Sequence, residues 1–247
     1  WGTHSMSFFS LKPKFLIHKF IVISILSVLL TSILPYNTAK ADDAFSSMSE
    51  LMENTTEGSD WQITTTDRGS DVLIAAIHGG GIEPATSQLA SLIASNGGYN
   101  YYSFQGVRPT NNGELHVTST NYDEPIIQHM QSTANRSVTI HGALGTEPVT
   151  YIGGKDQSLI SRVEDELRNT GFEVQESPNH LSGSSDNNIV NKNQRGEGVQ
   201  LELTTAMRQS LFSNNDISKI SRMNLLNYNA DMYNYAHAVN DAIAKDN

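Results

Sequence analysis

The sequence has no cysteine and few basic residues. Its 247 residues include 16 lysines and arginines against 26 aspartates and glutamates, for a formal net charge of −10. Without cysteine the chain forms no disulfide bonds and has no thiol chemistry, so any metal site must use His, Asp or Glu. The acidic surface argues against nucleic acid and anionic membranes as general partners. An anionic substrate would need a local positive group or a metal ion.

The amino-terminal segment has the features of a secretory signal peptide. Residues 1–5 are interpreted as an expression scar or a misassigned start. Lysines follow, Phe20–Leu34 is apolar, and small residues stand at Ala39 and Ala41. This pattern predicts cleavage before Asp42, a secreted product and no stable membrane association afterwards. An uncleaved anchor is the alternative, although the apolar stretch is shorter than the roughly 20 residues that a spanning helix needs.

Removal of residues 1–41 would leave a single catalytic domain at residues 42–247. The removed segment contains four lysines and no acidic residue, so the net charge of the remaining 206 residues falls to −14. A chain of this length buries one substantial core. We expect a monomer.

Apolar runs of strand length alternate with segments of helical period after residue 71. VLIAAI, at Val72–Ile77, is continuously apolar, as expected for a parallel strand covered on both faces. The alternation predicts a doubly wound α/β architecture. The predicted strands are Val72–Ile77, Tyr99–Phe104, Leu115–Ser119, Ser137–His141, Val149–Ile152, Phe172–Gln175 and Val199–Leu203. Helices are predicted after Glu83, Asp123, Asp156 and Thr204, and over Asp231–Lys245.

Two segments do not follow this alternation. Asp42–Arg68 has little periodicity and is expected to be a flexible entry or an irregular edge. Glu176–Gly198 is rich in Ser, Asn, Asp and Gly and is too long for a simple connection, which makes it a candidate active-site loop.

The run HGGGIEPATS begins at His78, directly after the first apolar strand. His78 is therefore expected at the carboxyl end of that strand. Glu83 precedes Pro84, and proline is favoured at the first helical position, so Glu83 is predicted to cap a helix that ends at Gly97–Gly98. Strand end, glycine loop and helix start then converge on one point.

A second histidine occupies the same position in another strand. SVTIHG places His141 at the end of an apolar run, and ligands bind beyond the carboxyl ends of strands in open α/β sheets. His78, Glu83 and His141 together form a ligand set of the type found in catalytic zinc sites. The alternatives are simple hydrogen bonding by each histidine and a capping role for Glu83.

Glu202 lies in a third strand, VQLEL. It shares a strand face with Gln200, and the alternate residues of the strand are apolar. A carboxylate near a metal can take a proton from water and pass it to a leaving amine. The alternative is an acidic residue on a solvent-facing side of the strand.

The three glycines also match the HGGG motif of esterases and lipases. That motif requires a serine nucleophile, and the chain contains no G-x-S-x-G elbow. The sequence therefore disfavours a serine hydrolase.

Several segments together resemble the poly-gamma-glutamate hydrolases known from phages and related bacterial proteins. The segments, within Val72–Arg208, are HGGGIEPATSQLA, LHVTSTNYDEP, TIHG, TYIGG and NNIVNKNQRGEGVQLELT. The resemblance implies a single-domain α/β fold similar to zinc carboxypeptidases, with a mixed, mostly parallel sheet flanked by helices. It also implies one Zn²⁺ per chain held by His78, Glu83 and His141, with Glu202 as the general base and acid.

The sequence departs from the expected pattern in small ways. Four residues separate His78 from Glu83, unlike the two of ordinary carboxypeptidases, and Ala85 and Gln88 stand where glycine and an acidic residue are expected. These differences affect the predicted helix start and leave the ligand set unchanged.

Substrate contacts are predicted in the loop before the Glu202 strand and in the segment LHVTSTNYDEP. Arg195 is the expected carboxylate clamp because its planar fork suits bidentate pairing. Asn188 and His116 are expected to bond amide or carboxylate oxygens. For all three, a loop-stabilising contact is the alternative, and the sequence does not rank Arg108, Arg136 and Arg208.

The sequence thus predicts a secreted zinc hydrolase that cleaves gamma-glutamyl amide bonds of poly-gamma-glutamate. Two alternatives remain open: hydrolysis of gamma-glutamyl amides in peptidoglycan stem peptides, and non-catalytic binding of an anionic polymer. A base beside the metal distinguishes an enzyme from a binder.

Overall fold

The computed structural model describes residues 1–4 and 43–245. The predicted apolar centre of the signal peptide, Phe20–Leu34, and the predicted cleavage position before Asp42 lie outside the described residues. The chain from Asp43 onward forms one compact unit. Within the described ranges, no helix is both long and apolar enough to cross a membrane.

A seven-stranded sheet organises this unit, with the strand order β1-β3-β2-β4-β7-β5-β6. The strands are β1 (Trp61–Thr66), β2 (Val72–Gly80), β3 (Asn100–Gly106), β4 (Arg136–Gly142), β5 (Val149–Gly154), β6 (Glu173–Glu176) and β7 (Val199–Leu203). The helices are α1 (Met48–Asn54), α2 (Thr86–Gly97), α3 (Pro125–Thr133), α4 (Gln157–Asn169), α5 (Thr205–Ser210), α6 (Lys219–Arg222) and α7 (Ala230–Ala244).

The sheet is mixed and mostly parallel, as predicted. Four strand pairs are parallel, whereas β1 runs antiparallel to β3 and β5 runs antiparallel to β7. The reversal between β7 and β5 means that the amino end of β7 lies beside the carboxyl end of β5. This reversal decides which loops lie near each other.

Helices cover both faces of the sheet. Every residue of β2 is buried, which matches the continuous apolar run in its sequence. Its alternate residues enter two different clusters: Val72 and Ile74 pack with α2, α4 and α7, and Leu73 and Ala75 pack with α1 and α3. The predicted apolar face of β7 joins the first cluster. Parallel strands buried on both sides therefore form the centre of the fold.

The prediction of a strand at Leu115–Ser119 is wrong. Short 3₁₀ helices occupy Asn112–Leu115 and Ser119–Asn121, and the intervening residues pair with no strand in the described sheet. The backbone is bonded by other means: His116 N donates to Gly113 O at 3.2 Å, and Thr118 N donates to the Asp43 carboxylate at 2.6 Å. Local turns thus replace the ladder that alternation of apolar residues suggested.

The segment Asp42–Arg68 is more regular than expected, because its described part contains α1 and the edge strand β1. The predicted helix after Asp123 begins at Pro125, and Glu124 is its N-cap. The helices predicted after Asp156 and Thr204 are present, with both residues as N-caps. The last predicted helix is α7, which buries Tyr235, Val239 and Ile243.

Glu83 does not cap a helix, contrary to the prediction. After β2 the chain turns, with Glu83 N donating to His78 O at 2.8 Å, and α2 begins only at Thr86. Its N-cap is Ala85, which has a φ of 81° and makes no side-chain cap bond. This left-handed conformation explains why glycine is expected at position 85. The Glu83 carboxylate is consequently available for the strand-end histidines.

Candidate metal centre and active site

Three adjacent strands bring the predicted site residues to one edge of the sheet. His78 lies in β2, His141 in β4 and Glu202 in β7, and these strands are neighbours in that order. His141 and Glu202 are register partners. Because β2, β4 and β7 are parallel, their carboxyl ends meet, and the edge collects two imidazoles and a carboxylate.

Glu83 completes a cluster with the two histidines. His78 Nδ1 lies 3.1 Å from Glu83 Oε1 and 3.2 Å from His141 Nδ1, and His141 Nδ1 lies 3.6 Å from Glu83 Oε2. Gly142 N donates to Glu83 Oε2 at 2.8 Å and holds the carboxylate in this position. One ligand atom from each of the three side chains lies within 4.8 Å of the others.

A backbone carbonyl selects the tautomer of His78. Its Nε2 lies 2.8 Å from Val117 O, which can only accept a hydrogen bond, so neutral His78 carries its proton on Nε2. The lone pair of Nδ1 then faces Glu83 and His141. The Nε2 atom of His141 is buried and has no hydrogen-bond partner within the described part of the chain.

The cluster fits a zinc ion. Zinc binds His nitrogens at about 2.0–2.1 Å in tetrahedral sites, which places ligand atoms roughly 3.3 Å apart. The measured separations of 3.1, 3.2 and 3.6 Å agree with that spacing. Burial lowers the pKa of His141 to about 3, so this ligand is neutral at pH 7, as metal binding requires. Burial alone would raise the pKa of Glu83, but in the metal-free cluster protonated His78, which donates from Nδ1 to Glu83, outweighs burial and lowers the pKa. A bound metal ion would take the place of that Nδ1 proton and leave His78 neutral.

Close packing accounts for two of the three glycines after His78. A Cβ at Gly79 would clash with the Ser87 and Ser103 hydroxyls, and one at Gly80 would clash with Gly106 O of β3. Gly80 also has a φ of 65°. The glycines therefore let the end of β2 lie against β3, which is a sufficient reason for them without an oxyanion hole.

Glu202 is almost completely buried beside this cluster, with 5% of its surface exposed. Burial, together with the negative charge of Glu83, raises the pKa of Glu202 to about 8. Gln200 Nε2 donates a hydrogen bond to Glu202 Oε1 at 2.8 Å. A carboxyl group with a pKa near neutral is suited to both accepting and donating a proton.

Asn188 lies behind Glu202, and its polar groups bond within the protein. Asn188 Nδ2 donates to Gln200 Oε1 at 2.9 Å, and Asn188 Oδ1 accepts from Val190 N at 3.1 Å. These bonds orient the Gln200 amide so that its nitrogen faces Glu202. Because Asn188 is only 3% exposed, this placement supports the loop-stabilising alternative over a substrate contact.

His116 stands at the open side of the cluster. Its ring centroid is 4.0 Å from that of His78, and its Nε2 is 3.9 Å from Glu83 Oε1. His116 Nδ1 donates a hydrogen bond to Asp43 Oδ1 at 2.6 Å, a contact that the sequence did not suggest. Neutral His116 therefore presents a hydrogen-bond acceptor at Nε2, and a bond to a substrate oxygen would require the imidazolium form.

Arg195 lies at the other end of β7. Its guanidinium is 3.2 Å from the buried carboxylate of Asp156 and also pairs with Glu197. Asp156 N donates to Gly198 O, directly before β7, whereas Glu202 is four residues further along the chain, at about 3.3 Å per residue in a strand. The loop-ordering alternative is therefore favoured for Arg195, and a substrate contact stays a prediction.

Arg208, which the sequence did not rank, lies under the cluster. It is 5% exposed and belongs to α5, the short helix after β7. Its guanidinium donates to the backbone carbonyl of the last residue of β7 and to carbonyls in the loops that follow β2 and β4. The sequence signal was only its position one helical turn after the Glu202 strand, which does not show where the side chain points.

Comparison with known proteins identifies the family of this chain. The model of the poly-gamma-glutamate hydrolase family matches residues 45–238, most of the chain. The chain belongs to this family.

Its relatives include two proteins of Bacillus subtilis (strain 168). The SPbeta prophage-derived UPF0714 protein YoqZ is 38% identical over 179 residues, which are 72% of this chain and 64% of YoqZ. The UPF0714 protein YndL is 34% identical over 72% of this chain and 70% of YndL. The chain therefore spans less than two thirds of the length of YoqZ.

Two solved structures of the family share the fold. A bacteriophage poly-gamma-glutamate hydrolase superposes with a TM-score of 0.79 at 31% identity, over 82% of this chain and 97% of the phage chain. A zinc-free apo form of YndL gives a TM-score of 0.76 at 31% identity, over 83% of this chain and 99% of that chain. The carboxypeptidase-like α/β fold expected from the sequence is confirmed.

Proposed function

We propose that this protein is a secreted, zinc-dependent hydrolase of the gamma-glutamyl amide bonds of poly-gamma-glutamate. The observation that carries the proposal is the juxtaposition of the His78, Glu83 and His141 cluster with the buried carboxyl of Glu202. Two structural relatives support it through their names: one is a poly-gamma-glutamate hydrolase, and the other is specified as zinc-free.

The three clustered side chains would hold one zinc ion, whose Lewis acidity would polarise the scissile carbonyl and a water molecule. Glu202 takes a proton from the attacking water and later gives it to the departing nitrogen. Gln200 occupies Oε1 of Glu202 with a donated hydrogen bond, which leaves the other carboxylate oxygen for the proton. One buried carboxyl group thus performs both proton transfers.

The polymer contacts the site from the side of His116. His116 is the most exposed of the imidazoles here: its side chain is 31% exposed, against 3% for His78 and His141. With its Nδ1 proton bonded to Asp43, its Nε2 accepts a hydrogen bond from a substrate amide N–H. A metal ion held by the cluster would supply the positive charge that a strongly acidic protein needs to attract a polyanion.

The decisive experiment is an assay of fragment release from poly-gamma-glutamate by the purified protein. We expect shortening of the polymer, its loss with a chelator and its recovery with added zinc. The matched control is zinc-loaded Glu202→Gln, which should bind the polymer without shortening it. Intact polymer after incubation with the zinc-loaded parent would contradict the proposal.

The same assay separates the two alternatives. Release of amines from peptidoglycan stem peptides, with the polymer left intact, would indicate a cell-wall amidase. Binding of the polymer without cleavage of either substrate would indicate an anionic-polymer binder, for which a base beside the metal has no use.

Secretion rests on the signal-peptide pattern ahead of Asp42. The compact unit begins at Asp43, next to the predicted cleavage position, and Asp43 is bonded to His116 and Thr118. The expected product therefore keeps these contacts. Expression in a Gram-positive host should release protein whose first residue is Asp42; protein retained in the cells with residues 6–41 attached would contradict secretion.

A further inference from the structure

One buried guanidinium connects the carboxyl end of β7 with the loops that follow β2 and β4. The guanidinium of Arg208 makes four hydrogen bonds that the structure describes, three of them to backbone carbonyls. Its acceptors are Leu203 O at 3.2 Å, Pro84 O at 2.9 Å, Ala143 O at 3.1 Å and Thr205 Oγ1 at 3.2 Å.

Each of these carbonyls lies within two residues of a side chain of the site. Leu203 follows Glu202, Pro84 follows Glu83, and Ala143 comes two residues after His141. The elements that carry the base and two of the three clustered side chains are therefore bonded to the same rigid, planar group. A change in the position of one loop would break a bond of the guanidinium.

The packing around Gly142 shows how tight this arrangement is. A Cβ built at Gly142 would lie 2.8 Å from Arg208 Cζ and 2.9 Å from Glu83 Cβ, which leaves no room for a side chain. In the space made by the missing Cβ, Gly142 N donates to Glu83 Oε2. Arg208 thus packs directly under the bond that fixes the Glu83 carboxylate.

A cation at this depth also balances the local charge. Glu83 and Glu202 are the acidic groups whose charges act on Arg208. Burying an unpaired charge is costly, so the guanidinium and the ionised Glu83 carboxylate compensate each other, and Glu202 adds to this balance whenever it gives up its proton. Lysine would keep the positive charge but would lack the fork that reaches three carbonyls.

We propose that Arg208 is a positioning residue, which holds Glu83, His141 and Glu202 in their site geometry before the metal binds. The inference rests on the proposed function for the identity of the metal. Arg208 touches neither substrate nor metal in this role, since the bonds described above are made to the protein itself.

The test compares zinc affinity in the parent, Arg208→Lys, Arg208→Met and a matched control, Arg222→Met. Arg222 is also buried, at 6% exposure, but its guanidinium donates to Ile217 O and belongs to α6. Zinc binding is measured by competition with a chromophoric chelator. We expect 10–100-fold weaker binding for both Arg208 variants, the range typical of residues that orient metal ligands, and parental binding for Arg222→Met.

A folded Arg208→Lys protein with parental zinc affinity would overturn the inference, as would equal weakening in Arg222→Met. If Arg208→Met does not fold, the lysine variant carries the test. Zinc-loaded Arg208→Lys should lose kcat more than it changes KM, because Glu202 is displaced and the exposed substrate contact is not.

A metal-free readout separates this inference from the proposed function. Hydrogen exchange at the Gly142 amide reports its bond to Glu83 without any zinc. We expect exchange at least 10-fold faster in metal-free Arg208→Lys than in the parent, with unchanged exchange in β1. A parent that binds no zinc would refute the proposed function alone; parental exchange at Gly142 in Arg208→Lys would refute the positioning role.

Discussion

Arg195 and Arg208 are almost equally distant from Glu202 along the chain, seven residues before it and six after it. In space they lie at opposite ends of β7. Arg195 pairs with Asp156 beside the amino end, whereas Arg208 binds carbonyls at the carboxyl end, under the site. Because a strand is extended, residues just before it and residues just after it lie at its opposite ends. Nearness in sequence to a catalytic residue therefore does not indicate nearness to the reacting groups.

Among substitutions at the two ends of β7, we expect the largest effect, a loss of kcat, for Glu202→Gln at the carboxyl end. The amide is nearly isosteric and cannot act as a base, so kcat should fall by about 10²–10⁴-fold while zinc stays bound. Turnover and zinc content are measured together. An unchanged kcat in the metal-loaded variant would show that another group moves the protons.

The pKa of Glu202 gives a second contrast, in the stability of the metal-free protein. Because the folded pKa of about 8 lies above the unfolded value near 4.5, the folded state holds the proton more tightly. This contribution is present below pH 4.5 and is lost as the pH rises through 8.

Metal-free Glu202→Gln lacks this titration. Its stability relative to the parent should therefore rise by on the order of a few kcal/mol between pH 5 and pH 8. Urea denaturation of both proteins at the two pH values provides the measurement. Parallel pH profiles would mean that Glu202 titrates normally in the folded state.

The amino end of β7 should respond in stability and not in catalysis. Arg195→Met leaves Asp156, which is 1% exposed, without its cation and should destabilise the protein by about 1–3 kcal/mol. We expect kcat and KM to stay within threefold of the parent. The control is Glu164→Gln, which breaks the surface ion pair of Glu164 with Arg168 within α4, worth about 0.3–0.5 kcal/mol, and keeps the bond of Arg168 to Val174 O.

Salt dependence sharpens the Arg195 comparison. If Arg195 instead clamps a substrate carboxylate, Arg195→Met should raise KM at low ionic strength, and the difference from the parent should narrow at high salt. Loss of affinity of that kind would return Arg195 to the substrate site.

The smallest effect is expected for Asn188→Ala. This change removes the donor that orients Gln200. The activation free energy should therefore rise by the value of one hydrogen bond, about 0.5–1.5 kcal/mol, which lowers kcat with little change in KM. Asn187→Ala is the control, because Asn187 is the exposed neighbour in the same loop. A raised KM with an unchanged kcat would favour the substrate contact predicted from the sequence.

The sequence predicts those parts of the site that depend on the alternation of side chains along a strand and on parallel strand pairing. His78 and His141 each end an apolar run, and parallel neighbours bring such ends together whatever the loops do. Glu202 follows from the alternation within β7. These positions depend on local periodicity and on one topological rule.

The remaining parts depend on contacts between distant segments. The sequence does not predict β1, because the regularity of this strand comes from its pairing with β3. The sequence predicts a strand at Leu115–Ser119, where the structure has turns, because the contact that stabilises these turns comes from Asp43, more than 70 residues away. Glu83 was expected at a helix cap, but a left-handed Ala85 delays the helix. The role of Arg208 depends on where two loops meet the end of β7, which no local pattern encodes.

A metal ion at the carboxyl ends of β2 and β4 is the central requirement of the proposed function. X-ray data collected at the zinc absorption edge from crystals equilibrated with zinc would locate it. We predict one anomalous peak per chain, about 2.0–2.2 Å from His78 Nδ1, His141 Nδ1 and a Glu83 oxygen. A peak elsewhere, or none at this cluster in crystals that contain zinc, would contradict the account.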